Sequence, residues 1–558
     1  MEAANRRPRL WLSVLALMLA VQISPWFYPT GDGSMYLSTV REFLSSEDLS
    51  EFRCFVPPGY VAMILPTFLV SDRPFLALSV MNWFLGVALL IGVYYWSRRQ
   101  FPSVAVLLTA IVMVNISVWT YYRRPLKETA FMAVLIWTVN LLQEFLGPER
   151  SRRYLLRGAA ASGLLALLSL IRYPGITVAI GFGAAMLLQA VRGRITWSRA
   201  FVTTSAITIL PITLLGSWLV YDKYYVGGAV YWHEIVSVYT DDIDGTSTNT
   251  PQRSGGEGGA SSPLAEYLLS WLPARDSHFM TAVVPQFLSG LQYRITDIGC
   301  MTIPGLWKAV PEPGNWLDVW SIVYVAFFLL LLVGWFRLVR RKTDVLILTL
   351  PAYFLLYVHW VCDQPGGRFM LPMLPAVIAC GWYGFGPKRQ LRVAMFSLLL
   401  FLHLGQASAY WLLIDAPRAA KAHDQWPTVD HLAASIKAEP RPVGAHDVPL
   451  EMFLALGLTL DKDTPLQTVA DPIDPSIHWI VAPADGERIP GFVLRESIGG
   501  FSLLYRRPDE MATAVVNPQP QVEKRSETLS AVTAARAGNS QPLSAEANRK
   551  ALSPETLQ

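Results

Sequence analysis

Four short clusters in this chain combine residue types that could do chemistry. The first is Thr30-Gly31-Asp32-Gly33-Ser34, a carboxylate between two glycines. Glycine allows a tight turn and a close approach to a bound group. A carboxylate so placed could take a proton from a weak nucleophile such as a hydroxyl. Asp32 or Ser34 could equally cap the helix that follows, and the two roles are compatible. The second cluster, Arg123-Arg124-Pro125-Leu126-Lys127-Glu128, sets three cations beside a carboxylate. A guanidinium fork matches phosphate oxygens, so Arg124 and Lys127 are candidate ligands for an anion, with Glu128 a second acidic group. The bland alternative is a set of snorkelling side chains with a local Lys–Glu pair. The third is Arg172-Tyr173-Pro174-Gly175, a tight turn whose arginine faces either a ligand or lipid headgroups. The fourth runs from His359 through Asp363 to Gly366-Gly367-Arg368, followed by Pro372 and Pro375. Prolines at that place free backbone carbonyls, which is tolerated where protein or a cavity surrounds them. A lone histidine such as His359 is more often an interfacial hydrogen-bond donor than a catalyst.

The elements that must position these groups are membrane helices. The 558 residues are 52% hydrophobic and only 16% charged, and the mean hydropathy is +0.34. A soluble chain carries roughly 25% charged residues, so a cytosolic enzyme and a disordered scaffold are both excluded. The net charge of +4 contains no basic run suited to nucleic acid. Runs of about 20 apolar residues mark candidate spans, and about eleven are found. They centre on Leu10–Trp26, Phe75–Trp96, Val104–Trp119, Phe131–Phe145, Gly158–Ile171, Ile176–Val191, Phe201–Tyr221, Trp316–Trp335, Val345–Trp360, Met370–Phe385 and Val393–Ile414. With a cytoplasmic N-terminus, every second connection is short and basic: Arg98-Arg99, Arg150 to Arg157, Arg192 to Arg199, Arg337 to Lys342 and Lys388 to Arg392. The long connections, Phe27–Pro74 and Asp222–Asn315, then share the opposite face with all four clusters. Tyr60 to Val70 is too short to span and reads as an interfacial or re-entrant helix on that face. Trp26-Phe27-Tyr28 stands where a small-residue cleavage site would lie, so the first span reads as an uncleaved anchor.

The fold class is therefore an all-α polytopic membrane domain over residues 1–414, with interfacial helices in its outer loops. Residues 415–507 read as a small extracytoplasmic α/β domain, with strands expected at His478 to Ala482 and Phe501 to Tyr505 and short helices at Asp430 to Lys437 and Leu450 to Leu456. Residues 508–558 are rich in Pro, Gln, Ser, Glu and Ala and read as a disordered tail. Residues 245–262 are low in complexity and read as a mobile loop. Cys54 and Cys300 share the outer side and could pair, which spacing alone does not decide. No metal-ligand spacing, P-loop or nucleophile elbow is present in the sequence.

The order of the motifs resembles the integral-membrane glycosyltransferases of the C superfamily, which include protein O-mannosyltransferases, the bacterial aminoarabinose transferase and lipopolysaccharide-core transferases. The motifs are Gly31-Asp32-Gly33, Pro57-Pro58-Gly59-Tyr60, Arg124 to Glu128, Arg172 to Gly175, and Arg368-Phe369-Met370-Leu371-Pro372. The likeness covers roughly Leu10 to Ile414. It implies a sugar donor linked to polyprenyl phosphate and an extracytoplasmic acceptor (lipid, glycan or protein), with the anomeric centre inverted by direct displacement. Asp32 matches the family's first-loop acid and would be the base, although Gly33 replaces the second carboxylate that some members carry. Glu128 matches a second acidic site and would be the second catalytic residue. Arg368 matches a basic residue implicated in the donor phosphate, and Arg124, Lys127, Arg172 and His359 are candidate substrate ligands beside it. The metal question stays open: a divalent ion bridging Asp32, Glu128 and phosphate is possible. The expected location is a bacterial inner membrane. A transporter or flippase of a lipid-linked saccharide is the rival reading, although such proteins place key charges near the midplane and show paired repeats.

Overall fold

The computed structural model describes residues 8–20, 31–45, 56–70, 74–122, 126–147, 154–222, 284–304, 318–358, 368–386, 388–438, 441–445, 456, 466–468, 477–484, 489 and 492–506. The chain divides into two units: residues 1–438 with 449–463, and residues 439–448 with 464–558. The chain is mostly helical, and the one described sheet lies in the second unit.

The first unit opens with α1 (Pro8–Ala20), α2 (Gly31–Ser45), α3 (Pro58–Val70) and α4 (Pro74–Gln100). A bent pair follows, α5 (Ala105–Val114) and α6 (Ile116–Tyr122), then α7 (Lys127–Glu144), α8 (Tyr154–Ile171), α9 (Thr177–Val191) and α10 (Trp197–Tyr221). The rest are α11 (Val284–Thr302), α12 (Val319–Arg341), α13 (Val345–Val358), α14 (Leu374–Gly384), α15 (Arg389–Tyr410) and α16 (Ala416–Lys437). Among the described residues six helices are long and apolar enough to cross a membrane, or seven if the bent pair is one span, and four shorter apolar helices accompany them. The protein is a multi-pass membrane protein. Its apolar surface agrees: Phe201 on α10, Leu329 on α12 and Phe401 on α15 are all exposed, as expected where lipid is the solvent.

Two features depart from the expected string of straight spans. Val104–Trp119 is broken by 57° between α5 and α6. Asn115 causes the break: its Oδ1 accepts from the Ser117 backbone N–H at 3.0 Å, and its Nδ2 donates to the Met301 carbonyl at 2.7 Å. A side-chain amide that caps the second half-helix and bonds to another element competes with the helical ladder. Second, the connection expected over Asp222–Asn315 contains α11, whose residues from Arg294 to Thr302 are all buried against α12, α13 and α14. Its polar residues (Gln292, Arg294, Asp297) made it read as loop.

Helix order around the core is set by close crossings. α7 packs between α4 and α8, α9 lies on α13, and α3 touches both α4 and α8. The small PPGY motif explains the last contact, because a methyl group on Gly59 would come within 2.6 Å of the Leu170 and Ile171 backbone.

The second unit holds a five-stranded sheet in the order β2-β1-β3-β5-β4. The strands are β1 (Val443–Ala445), β2 (Leu466–Thr468), β3 (Trp479–Pro483), β4 (Phe492–Ile498) and β5 (Phe501–Arg506). β1 pairs in parallel with β2 and β3, whereas β5 is antiparallel to β3 and β4. Gly499 and Gly500, at φ 57° and 82°, form the two-residue turn of the β4–β5 hairpin, where only glycine enters the left-handed region freely.

Candidate active site

One end of the helical unit gathers a buried polar cluster around Glu128. Its position follows from the sequence: Leu126, extended, stands at the N-cap of α7, so Lys127 and Glu128 fall in the first helical turn. A carboxylate there is favoured by the free N–H groups of the helix start. Glu128 is wholly buried, Lys127 and Arg172 nearly so, and the Arg368 side chain is 20% exposed. Glu128 Oε1 accepts from Arg368 Nε at 2.6 Å and lies 3.6 Å from Arg172 Nη1. Its other oxygen, Oε2, has no hydrogen-bond partner among the described residues.

Each cation reaches this point from a different element. Arg172 follows the last residue of α8 and precedes the 3-10 turn Tyr173–Ile176. Its backbone N–H continues the helical ladder to the Leu168 carbonyl. Gly175 allows the turn to fold back, since a methyl group there would come within 2.6 Å of that same carbonyl oxygen. Arg368 begins the turn that enters the 3-10 segment Leu371–Met373 and α14. Lys127 points its ammonium over the Tyr36 ring of α2, 5.4 Å from the centroid. Tyr36 meets Tyr60 of α3 edge to face at 5.1 Å. The Tyr60 hydroxyl is buried and has no hydrogen-bond partner among the described residues.

Aromatic faces hold the guanidinium groups. Arg172 sits over Phe131 and Phe369, 5.8 and 5.4 Å from their centroids, and Arg368 lies 5.8 Å from that of Tyr121. Cations over ring faces are stabilised where water is scarce. Among the described residues, three cations around one carboxylate leave an excess of two positive charges in a low-dielectric setting, which favours an anion. Glu128 acts as an anchor for these cations. A carboxylate held by guanidinium groups favours its ionised form and accepts a further proton poorly. Among the described residues no three His, Cys, Asp or Glu side chains converge as metal ligands. The described charged groups nearest Glu128 are cationic.

No protein-family model matches the sequence, and no curated protein does. Solved structures do match the fold. ArnT from Cupriavidus metallidurans bound to undecaprenyl phosphate aligns at a TM-score of 0.50 and 12% identity, over 92% of this chain and 100% of that one. The chain has the fold of that ArnT structure. The same enzyme in its apo state aligns at a TM-score of 0.48 and 12% identity, over 93% of this chain and 100% of that one. The oligosaccharyltransferase AglB from Archaeoglobus fulgidus, in complex with an inhibitory peptide and a dolichol-phosphate, aligns at 0.42 and 11%, over 86% and 70% of the two chains.

Of the residues singled out in the sequence, Lys127, Glu128, Arg172 and Arg368 come together. Asp32 is the second residue of α2, one turn before Tyr36; its side chain lies outside the described part of the structure. Arg124, His359, Asp363, Cys54, the 245–262 loop and the 508–558 tail lie outside the described residues. Sequence reasoning missed six contributors. Tyr36 and Tyr60 looked like the apolar face of interfacial helices. Tyr353 and Tyr357 of α13 looked like span residues, yet Tyr353 donates to the Phe369 carbonyl at 3.0 Å. Arg294 and Asp297 of α11 sat unnoticed in a presumed loop; the available signal was their i, i+3 spacing on a helix of mixed faces.

Proposed function

We propose that the chain is a membrane glycosyltransferase that moves a sugar from a polyprenyl-phosphate-linked donor to an extracytoplasmic lipid, glycan or protein acceptor. The observation that carries this reading is the convergence of Lys127, Arg172 and Arg368 on the buried Glu128 at one end of the helical unit. The ArnT structure of the same fold was solved with undecaprenyl phosphate, which is consistent with a lipid-phosphate donor.

In this mechanism the acceptor hydroxyl attacks the anomeric carbon from the face opposite the lipid phosphate. The new C–O bond forms as the bond to the phosphate oxygen breaks, and the configuration inverts. Asp32 takes the acceptor proton as that bond forms. The leaving group is a polyprenyl phosphate, already anionic, so it needs cations more than a proton. Arg368, the most exposed of the group, contacts it with Lys127 and Arg172 behind, and Arg124 and His359 supply further ligands. Preorganised charge aimed at a developing anion is a large part of enzymatic rate acceleration. Glu128 keeps the guanidinium groups in place before the donor arrives. The N-terminus is cytoplasmic and the site opens on the far side of a bacterial inner membrane.

The test uses detergent-purified protein, a panel of labelled polyprenyl-phosphate sugars and an extract of envelope lipid, glycan and protein as acceptor, following release of polyprenyl phosphate. Asp32→Asn should abolish transfer at unchanged yield and melting temperature. Transfer at the parental rate would remove Asp32 as the base. No release with any donor of the panel, from protein that binds polyprenyl phosphate, would point to a non-enzymatic carrier.

A further inference from the structure

We infer that Arg294 and Asp297 of α11 are a positioning pair that fixes Arg368 through Phe369. This rests on the reading above that Arg368 contacts the donor phosphate. Arg294 is 1% exposed. Its Nε donates to the Tyr357 carbonyl at 3.0 Å, and its Nη1 donates to Asp297 Oδ2. So engaged and so buried, it works on the site from behind. Its guanidinium lies 5.5 Å from the Phe369 ring centroid, and that of Arg172 lies 5.4 Å from the same centroid. Tyr357 packs on the ring at 5.4 Å, and the Tyr353 hydroxyl holds the Phe369 carbonyl. Phe369 is thus bound through its ring and its backbone, and the adjacent residue in the chain is Arg368.

Charge balance explains why the pair must be complete. Two guanidinium groups on one ring repel, and a carboxylate beside each lessens that repulsion. Glu128 serves Arg172, and Asp297 serves Arg294. Without Asp297 an uncompensated cation would sit beside the anion-binding site and compete for Glu128. α11 is suited to the task because it is pinned along its length. Gln292 donates to Ser321 Oγ at 3.0 Å, Asn115 donates to the Met301 carbonyl at 2.7 Å, and the His403 ring meets the Thr302 carbonyl at 3.1 Å. Gly290 brings its backbone directly against the Val358 carbonyl. A helix so fastened is a fixed reference for a neighbouring turn.

The experiment makes Arg294→Gln, Arg294→Lys and Phe369→Leu in the parental protein and again on Arg368→Gln. Donor kcat/KM should fall roughly ten-fold for Arg294→Gln, within the range of coupled neighbours. Arg294→Lys should recover part of the loss. On Arg368→Gln, the same Arg294→Gln change should add less than about two-fold, because both act along one path. Equal losses in both backgrounds would assign Arg294 to general packing and overturn the inference. Hydrogen exchange gives a second readout that does not depend on transfer: the amides of Phe369–Met373 should exchange faster in Arg294→Gln while those of α14 stay unchanged. Unchanged exchange at Phe369–Met373 would overturn the positioning claim. If Arg368→Gln alone alters neither transfer nor undecaprenyl phosphate binding, the donor-phosphate reading falls, and the exchange result decides the positioning claim by itself.

Discussion

Two buried carboxylates, Glu128 and Asp344, show how surroundings give one functional group two roles. Glu128 lies among cations. Asp344, in the connection between α12 and α13, lies among neutral donors: Trp96 Nε1 at 3.0 Å and Gln100 Nε2 at 2.6 Å reach Oδ2, and the Ile347 backbone N–H reaches Oδ1 at 3.0 Å. Burial pushes its pKa up to about 6 from 3.8, and the hydrogen bonds and the nearby Lys342 offset only part of that. The raised value means that the folded protein holds this proton more tightly than the unfolded chain. The stability it contributes is fully present below about pH 3.8 and is lost as pH rises to about 6. The Asp344→Asn variant cannot titrate there. The melting stability of the parental protein minus that of the variant, measured in detergent, should therefore drop by roughly 3 kcal/mol between pH 4 and 6 and stay level above. A difference that is flat across that window, or that rises, would show Asp344 to be ionised throughout.

At the scale of elements, glycine decides how closely the helices cross. A methyl group on Gly334 of α12 would run into the Cys380 carbonyl oxygen of α14, and one on Gly384 would come within 2.5 Å of the Leu330 carbonyl. Small residues that let backbones meet are a common device of membrane helices. Gly334→Ala should therefore lower the melting temperature, with a loss of about 1–3 kcal/mol from overpacking. Gly163 on α8 has open space around it, so Gly163→Ala should be neutral or slightly stabilising, since alanine favours helix. Equal effects of the two changes would mean that the crossing is looser than described. These contacts also show what the sequence could not convey. Hydropathy and the basic connections located α4, α8, α9, α10 and α12, because composition alone decides whether a long segment suits lipid. The tyrosines of α2, α3 and α13 were opaque, because a tyrosine on an apolar face reads the same whether its hydroxyl is wet or joins a buried cluster. Arg294 and Asp297 were opaque for the opposite reason. A charged helix buried inside a bundle looks like an exposed loop until its counter-charges are placed. Lys127, Glu128, Arg172 and Arg368 were legible because charge close to an apolar run is expensive and needs a reason.

For the whole molecule, the question is whether that charge serves chemistry or passage. A carrier of a lipid-linked saccharide would show polar groups along a path and two arrangements of matched halves. Here the Glu128 cluster is assembled where α7 begins, where α8 ends and just before α14. The Asp344 group joins the C-terminal end of α4 to the start of α13. The core between holds Phe131, Leu135, Ile136, Phe182 and Val178, all buried and apolar. Such a core supports a fixed scaffold with a site at one end, and an enzyme of that design needs no gradient. Purified protein in detergent micelles, which have no two sides, should then convert a polyprenyl-phosphate sugar and its acceptor to product over many turnovers. The rate should match that in sealed proteoliposomes when substrate is in reach. A strict requirement for a sealed bilayer, with donor bound but unconverted in micelles, would favour the carrier. The Arg368→Gln variant separates the two schemes again: a fall in conversion larger than its fall in undecaprenyl phosphate binding marks a cation used in the transition state, which a carrier has no cause to possess.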